Sequence, residues 1–190
     1  MSKFIVAKFG GSVLNTCENI ARVLEIIKAD KNKKIIVVSA PGQTNDRDIK
    51  VTDLLYSCYN EIISTGNCNG SFKKIFEKFF TIIHKYKIYS FIDELFSIKK
   101  LIEEKKDRDY TASRGEYITA RIIAEILNYK FIDAADLIKF NKLNQLNFNL
   151  TKQNTDVLLK ELKVPAVIPG FYGSKLNGDI LTFSRDGSDY

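Results

Sequence analysis

The feature that most constrains the fold is an apolar run near the N-terminus, residues 4–12, with the sequence F-I-V-A-K-F-G-G-S. Its residues favour β-structure and Lys8 is the one charged interruption, which is typical of a buried strand in a parallel sheet. Gly10 and Gly11 let the backbone turn sharply and let a ligand approach its N–H groups. Open α/β sheets bind ligands at the carboxyl ends of their strands, so Lys8 stands where a cation meets a phosphate. The alternative interpretation is a plain strand-ending turn with an outward-pointing lysine.

Strand-like and helix-like segments alternate along the rest of the chain. Apolar runs predict further strands at residues 34–40, 130–134 and 164–168, and helical spacing recurs at residues 20–27, 54–62, 72–83, 91–102, 118–127 and 157–162. Asn177-Gly178 is a hairpin turn signal. The pattern predicts an α/β fold, an αβα sandwich with a mainly parallel central sheet and helices on both faces. A helical excursion around residues 70–106 covers one face.

Several local features are also predicted. Thr16 is a plausible N-cap of the first helix, and Asn154 or Thr155 of the last. Residues 105–110 are expected to form a charged loop, which places Glu116 near a helix start, where a carboxylate is usually a surface charge favoured by the helix dipole. Residues 137–151 are expected to form a short edge strand and a loop.

Composition limits the classes of function. The chain of 190 residues carries a net charge of +6, but its lysines are spread out, without a basic arm or an aromatic platform, so nucleic-acid binding is a weak alternative. No apolar run approaches the ~20 residues that span a bilayer. The N-terminus leads straight into a strand and leaves no room for a signal peptide, so we expect a cytoplasmic protein.

The metal-ligating residue types are few. Cys17, Cys58 and Cys68 form no C-x-x-C pair and are predicted to be reduced, mostly buried thiols. His84 lies in a helical pattern and is predicted to be a helix-surface residue. We therefore expect no metal site built from protein side chains.

Four polar stretches fall at strand ends or at a helix start, namely residues 8–12, 39–44, 113–116 and 184–189. Their residue types suit one small zwitterion and one phosphate chain. Arg185 offers a planar fork that matches a carboxylate, and Glu116 can hold an ammonium group. Hydroxyl groups come from Ser39, Thr44 and Ser188. Lys8 and the glycine amides offer positive potential for a phosphoryl group.

These stretches resemble the N-terminal part of the aspartokinases, in the amino acid kinase family. K-F-G-G-S at residues 8–12 resembles the family's opening motif, and V-S-A at residues 38–40 its second loop. S-R-G-E at residues 113–116, G-F at 170–171 and R-D-G-S-D at 185–189 resemble its later motifs. The resemblance runs along almost the whole chain. Asp186 departs from it, because a glycine is usual there, and a second carboxylate beside Arg185 can weaken its pull on the substrate.

The resemblance implies an amino acid kinase fold and phosphoryl transfer from MgATP to the β-carboxylate of L-aspartate, the first step toward lysine, threonine and methionine. It also implies a role for each site residue. Lys8 contacts the transferring phosphoryl group and Asp189 helps to place Lys8. The remaining residues divide into a phosphate site, formed by Phe9, Gly10, Gly11 and Ser12, and an aspartate site, formed by Ser39, Thr44, Glu116, Arg185 and Ser188. ATP and the Mg²⁺ that accompanies it are the implied cofactors.

Family members continue past the last motif into a nucleotide-binding half and then into regulatory domains. Residues 1–190 therefore resemble only the amino-acid-binding lobe, and we expect this chain alone to be inactive. An uncovered sheet edge predicts self-association or marginal stability. We also expect a homo-oligomer. Two alternatives remain open: a non-catalytic amino-acid-binding lobe, and a kinase of the same fold for another small acid such as glutamate or acetylglutamate.

Overall fold

The computed structural model describes residues 5–184. Within this range the strands are Ile5–Phe9 (β1), Lys33–Val38 (β2), Lys130–Phe131 (β3), Lys139–Phe140 (β4), Ala166–Pro169 (β5), Tyr172–Lys175 (β6) and Ile180–Thr182 (β7). The α-helices are Cys17–Lys28 (α1), Val51–Thr65 (α2), Asn69–Tyr86 (α3), Phe91–Lys105 (α4), Arg108–Leu127 (α5), Ala134–Leu137 (α6) and Phe148–Glu161 (α7). A 3₁₀ turn at Gly11–Val13 follows β1.

The central sheet has four strands in the order β1-β2-β5-β3, and every neighbouring pair is parallel. Lys8 of β1 lies in register with Val37 of β2, which in turn faces Ile168 of β5. A second sheet of three strands pairs β4 with β6 in parallel and β6 with β7 in an antiparallel hairpin. The predicted α/β class and the mainly parallel central sheet are confirmed.

Alternate residues of β5 pack on opposite faces of the central sheet. Val167 belongs to the large core, which also contains residues of β2, α1, α2 and α5. Ala166 and Ile168 belong to a smaller cluster that includes Leu158 and Leu162 at the end of α7. This alternation follows from the side-chain period of two in a strand, and it places helices on both faces, as the αβα prediction requires.

The predicted helical excursion corresponds to α3 and α4. Helix α3 packs against α2, and α4 packs against α5. His84 is exposed on α3, as predicted, and its Nδ1 lies 3.1 Å from the Tyr89 hydroxyl. The thiols of Cys58 and Cys68 are free and buried. No helix among residues 5–184 has the length and apolarity needed to cross a membrane.

Helix α5 begins earlier than predicted. Instead of a charged loop over residues 105–110, the chain reverses at Lys106, which has φ 51°, and Asp107 caps the new helix by accepting a hydrogen bond of 2.6 Å from the Tyr110 amide. Glu116 therefore lies in the third turn of α5 and not near its start. The prediction that it is a dipole-favoured charge at a helix start is wrong.

Two other boundaries differ from prediction because a short polar side chain caps a helix. The third strand ends at Phe131 and not at residue 134, since Asp133 caps α6 by accepting from the Ala135 amide. Helix α7 begins at Phe148 and is capped by Asn147, so the caps predicted at residues 154 and 155 are wrong. The N-cap at Thr16 is confirmed, because its hydroxyl accepts from the Asn19 amide at 3.1 Å.

Candidate functional site

The turn after β1 and the loop after β2 are packed directly on each other. The Gly42 amide donates to the Gly11 carbonyl at 2.9 Å, and the Ser39 amide donates to the Phe9 carbonyl at 3.1 Å. A Cβ atom on Gly11 would lie 2.6 Å from the Ala40 carbonyl oxygen, so only glycine fits there. Gly11 does not have positive φ, so a sharp turn is not the reason for glycine at this position. The reason is the close contact between the two loops.

Gly10 serves a different purpose from Gly11. Its φ of −78° and ψ of 167° suit any residue, and a Cβ atom there would meet nothing within 4 Å. Lys8, two residues earlier, and Ser12, two residues later, both have exposed side chains. A cation thus lies beside open space at the carboxyl end of β1. This arrangement fits a phosphate group. A side chain at position 10 would obstruct the approach of the phosphate to the backbone.

Helix α5 closes onto the same loop through Gly115. A Cβ atom at Gly115 would lie 2.8 Å from the Cβ of Ala40 and 3.2 Å from side-chain atoms of Leu55 and Val51. The contact brings Glu116 against the backbone of the β2 loop, where the amide of Ala40 hydrogen-bonds its carboxylate. The structure therefore brings the first three predicted polar stretches together.

Glu116 is the most unusual group in this region. It is only 5% exposed, and its Oε2 is buried without a hydrogen-bond partner among the described residues. Burial raises the pKa of Glu116 to about 7, although the Ala40 amide and the charge of Arg114 oppose the rise. A buried carboxylate oxygen without a partner costs free energy unless a donor arrives, which points to a cationic or hydrogen-bond-donating ligand.

Arg114 is a buried cation that sequence reasoning missed. Its guanidinium carbon lies 4.3 Å from the ring centre of Tyr110, 4.4 Å from that of Tyr117 and 5.5 Å from that of Tyr172. It also donates to the Ser113 hydroxyl at 2.9 Å. Tyr110 and Tyr117 stand four residues before and three residues after Arg114, so helical spacing was the available signal. The Tyr172 hydroxyl donates to Asp133 at 2.7 Å, which joins the second sheet to the N-cap of α6.

Thr44 and Ser39 lie on the same loop in different surroundings. Ser39 is half-buried beside β1, whereas Thr44 is exposed, with its amide and its hydroxyl both bonded to the Asp48 carboxylate. Thr44 lines a cleft of about 820 Å³ between α1, α3 and this loop. Sequence reasoning missed both Asp48 and its partner Lys78.

The chain returns to the carboxyl end of the central sheet at Gly170, whose amide donates to the Val38 carbonyl at 2.9 Å. Phe171 has a φ of 74°, which is uncommon for a residue with a side chain, and its carbonyl accepts from the Phe183 amide at 2.8 Å. Ser184 ends the described range beside α2 and α5, in a pocket of about 610 Å³. The predicted site residues Arg185, Ser188 and Asp189 lie outside the described residues.

Across residues 5–184, histidine, cysteine and acidic side chains form no group of three able to hold a metal ion. The polar groups gathered here are instead a lysine, glycine-rich backbone, hydroxyls and one buried carboxylate. These groups are of the kinds that bind a phosphate and an amine.

Comparisons with known proteins agree with the geometry. The sequence profile of the amino acid kinase family matches residues 3–190. Aspartokinase 3 of Bacillus subtilis is 30% identical over 97% of this chain and 44% of its own length, and lysine-sensitive aspartokinase 3 of Escherichia coli is 25% identical over 100% of this chain and 45% of its own. The chain thus spans less than half the length of these relatives.

Solved structures give the same picture. Clostridium acetobutylicum aspartate kinase, described as an allosteric enzyme, superposes with a TM-score of 0.89 at 39% identity over 98% of this chain and 43% of that one. Escherichia coli aspartokinase III, solved with lysine and aspartate, superposes with a TM-score of 0.85 over 100% of this chain and 45% of that one. Its identity is 22%, so it supports the fold alone. The resemblance to aspartokinases is confirmed.

Proposed function

The chain belongs to the amino acid kinase family, and we propose that it is the amino-acid-binding lobe of an aspartate kinase. The reaction transfers the γ-phosphoryl group of ATP to the β-carboxylate of L-aspartate and gives 4-phospho-L-aspartate and ADP. The observation that carries the proposal is Glu116, a buried carboxylate at a site built from strand-end loops, with an oxygen that has no hydrogen-bond partner within residues 5–184. The likeness to aspartokinases supports aspartate as the substrate.

Glu116 is suited to hold the ammonium group of the substrate. An ammonium ion placed against Oε2 supplies both a donor and an opposite charge, which compensates the cost of the buried carboxylate. This role favours a free amino acid over an N-acylated one. It therefore argues against the acetylglutamate alternative, because an acetylated nitrogen is neutral and leaves Glu116 without a counter-charge.

Lys8 and the open backbone at Gly10 are suited to the phosphoryl group. The substrate β-carboxylate is already ionised at neutral pH, so it attacks phosphorus without a general base, and the bond from the γ-phosphorus to the ADP oxygen breaks. Catalysis then depends on alignment and on neutralising charge at the phosphoryl oxygens. We assign that neutralisation to Lys8, with Phe9, Gly11 and Ser12 shaping the phosphate site.

The other predicted substrate contacts remain proposals. Ser39 and Thr44 follow β2, beside the loop that carries Gly42. Arg185 and Ser188 complete the aspartate site and Asp189 orients Lys8, as the family resemblance implies. Mg²⁺, which enters with ATP, would add positive charge at the phosphates.

We further propose that the 190-residue chain does not release ADP by itself, because its resemblance covers the amino-acid side of the reaction only. A cytoplasmic location, a homo-oligomeric state and a role in amino-acid biosynthesis complete the proposal. An enzyme of this class has turnover numbers of ~1 s⁻¹ or more. The test is aspartate-dependent ADP release by the purified chain, with C. acetobutylicum aspartate kinase as the active control. Release at such a rate would contradict the proposal that the chain alone is inactive.

Binding selectivity tests the proposed function. We expect L-aspartate to shift the NMR amide signals of residues around Glu116 and Ala40, whereas N-acetyl-L-aspartate shifts none of them at the same millimolar concentration. L-glutamate is the control for chain length, and it should bind more weakly than L-aspartate. Binding of N-acetyl-L-aspartate as tight as that of L-aspartate would contradict an ammonium site at Glu116.

A further inference from the structure

We propose that Asp48 and Lys78 are positioning residues that hold Thr44 in place for aspartate. The inference rests on the proposed function, because Thr44 is one of the residues to which that function assigns aspartate binding. It concerns residues 41–50, called the substrate loop below. Neither Asp48 nor Lys78 is among the residues that the resemblance to aspartokinases assigns to the site.

Asp48 organises the substrate loop from within. Its Oδ2 accepts from the Thr44 amide at 2.9 Å and from the Thr44 hydroxyl at 3.0 Å, and its Oδ1 accepts from the Ile49 amide at 2.8 Å. Its backbone adds two more bonds, one to the Asn45 carbonyl and one from the Gln43 side chain. The Asp48 carboxylate therefore accepts from both polar groups of Thr44, whose hydroxyl also accepts a longer bond of 3.3 Å from the Asn45 side chain.

Lys78 ties that carboxylate to a helix far away in sequence. Its ammonium group lies 2.5 Å from Asp48 Oδ1 and 2.6 Å from Oδ2. The side chains are 22% and 18% exposed, so the pair is largely shielded from water. Burial alone would raise the pKa of Asp48, but the bonds from Lys78 and Thr44 outweigh it and lower the pKa to about 2. The Asp48 carboxylate therefore stays ionised at neutral pH.

The surroundings show why the substrate loop needs this attachment. At its N-terminal end, Gly42 is bonded to Gly11, and the Asn15 side chain donates to the Gln43 carbonyl. Beyond Gln43, one side of the substrate loop borders the cleft of about 820 Å³, which Asp48 and Lys78 also line. The ion pair links the loop to α3 beside that cleft. Without it, the part that carries Thr44 would depend on bonds within the loop.

An ordinary surface ion pair predicts a different outcome. Such pairs contribute little to stability, and their removal changes little elsewhere. A positioning pair, in contrast, controls the order of the loop and the binding of aspartate while leaving global stability almost unchanged. Lys152, which pairs with Asp156 on α7 at 2.6 Å with both side chains exposed, provides a matched control.

The test combines amide hydrogen exchange with an aspartate titration, both followed by NMR on the 190-residue chain. In Lys78→Met and Asp48→Asn we expect the Thr44 and Ile49 amides to exchange at least tenfold faster, and the dissociation constant for L-aspartate to rise about tenfold. Lys78→Arg should restore both values, and Lys152→Met should leave both unchanged.

The outcomes separate the two proposals. If the wild-type chain binds no aspartate, the proposed function is wrong and the role toward aspartate falls with it, while the exchange rates still decide whether the pair fixes the loop. If wild-type and Lys78→Met chains bind aspartate equally well, the positioning role is wrong and the proposed function stands. Faster exchange without weaker binding also overturns the positioning role.

Discussion

The substitution Glu116→Gln is expected to stabilise the free protein at high pH, although it removes a proposed ligand-binding group. The pKa of Glu116 rises from the ordinary 4.5 to about 7 in the folded chain because burial penalises its charged form. A tenfold change in proton affinity is worth about 1.4 kcal/mol, so ionising this group in the folded state costs about 3 kcal/mol more than in the unfolded state.

The sign follows from the raised pKa. Protonated Glu116 favours the folded state fully below pH 4.5, and this contribution is lost as the pH rises through about 7. Glutamine does not ionise, so the variant escapes the loss. Between pH 5 and pH 8 the unfolding free energy of Glu116→Gln should gain about 2.5 kcal/mol relative to the wild type. For a chain of this size the gain corresponds to about 5–10 °C in Tm.

The assay is urea and thermal unfolding of ligand-free wild-type and Glu116→Gln chains, followed by circular dichroism at pH 5 and pH 8. Glu103→Gln is a control of opposite sign. Burial would raise the pKa of Glu103, but its bonds with Lys99 and the Cys68 amide outweigh it and lower the pKa, so this variant should lose stability at pH 8. If Glu116→Gln gains nothing at pH 8 over pH 5, Glu116 does not carry an uncompensated charge.

Three further predictions concern the phosphate and aspartate sites. In an enzyme form that releases ADP, Lys8→Ala should lower kcat by roughly 10²–10³ and leave the KM for aspartate nearly unchanged, since it removes one preorganised charge; unchanged turnover in steady-state kinetics would refute this role. Arg185→Ala should weaken aspartate binding by about 2–5 kcal/mol in a calorimetric titration, and wild-type affinity would reject the assignment. Gly11→Ala should destabilise the fold by about 1–3 kcal/mol in urea unfolding, because its Cβ meets the Ala40 carbonyl at 2.6 Å, whereas the matched variant Gly10→Ala should not.

Local patterns predicted most of the fold. The apolar runs and helical spacings located β1, β2, β5 and the long helices, because each of these elements buries one stripe or face in the core. The Asn177-Gly178 hairpin and the Thr16 cap were also predictable, since their chemistry lies within a few residues. The predicted helix boundaries were wrong where several polar residues compete to be the N-cap, as at Asp107 and Asn147.

The candidate site was predictable as a set of residues but not as an arrangement. Nothing near Glu116 in sequence shows that it is buried, because its burial depends on Gly115 fitting against Ala40 on a distant loop. The Asp48–Lys78 pair and the contact between Arg114 and Tyr172 likewise join segments far apart in the chain. Such contacts follow from tertiary packing, which local periodicity does not encode.

The central claim is that Glu116 holds the ammonium group of aspartate. Its most direct test is the dissociation constant for L-aspartate, measured by NMR titration at pH 8 in wild-type, Glu116→Gln and Glu103→Gln chains. Truncating one partner of a buried charge pair costs about 2–5 kcal/mol, so we predict saturable binding by the wild type, binding weaker by a factor of about 30 or more in Glu116→Gln, and wild-type affinity in Glu103→Gln. Equal affinity in the wild type and in Glu116→Gln would contradict the claim.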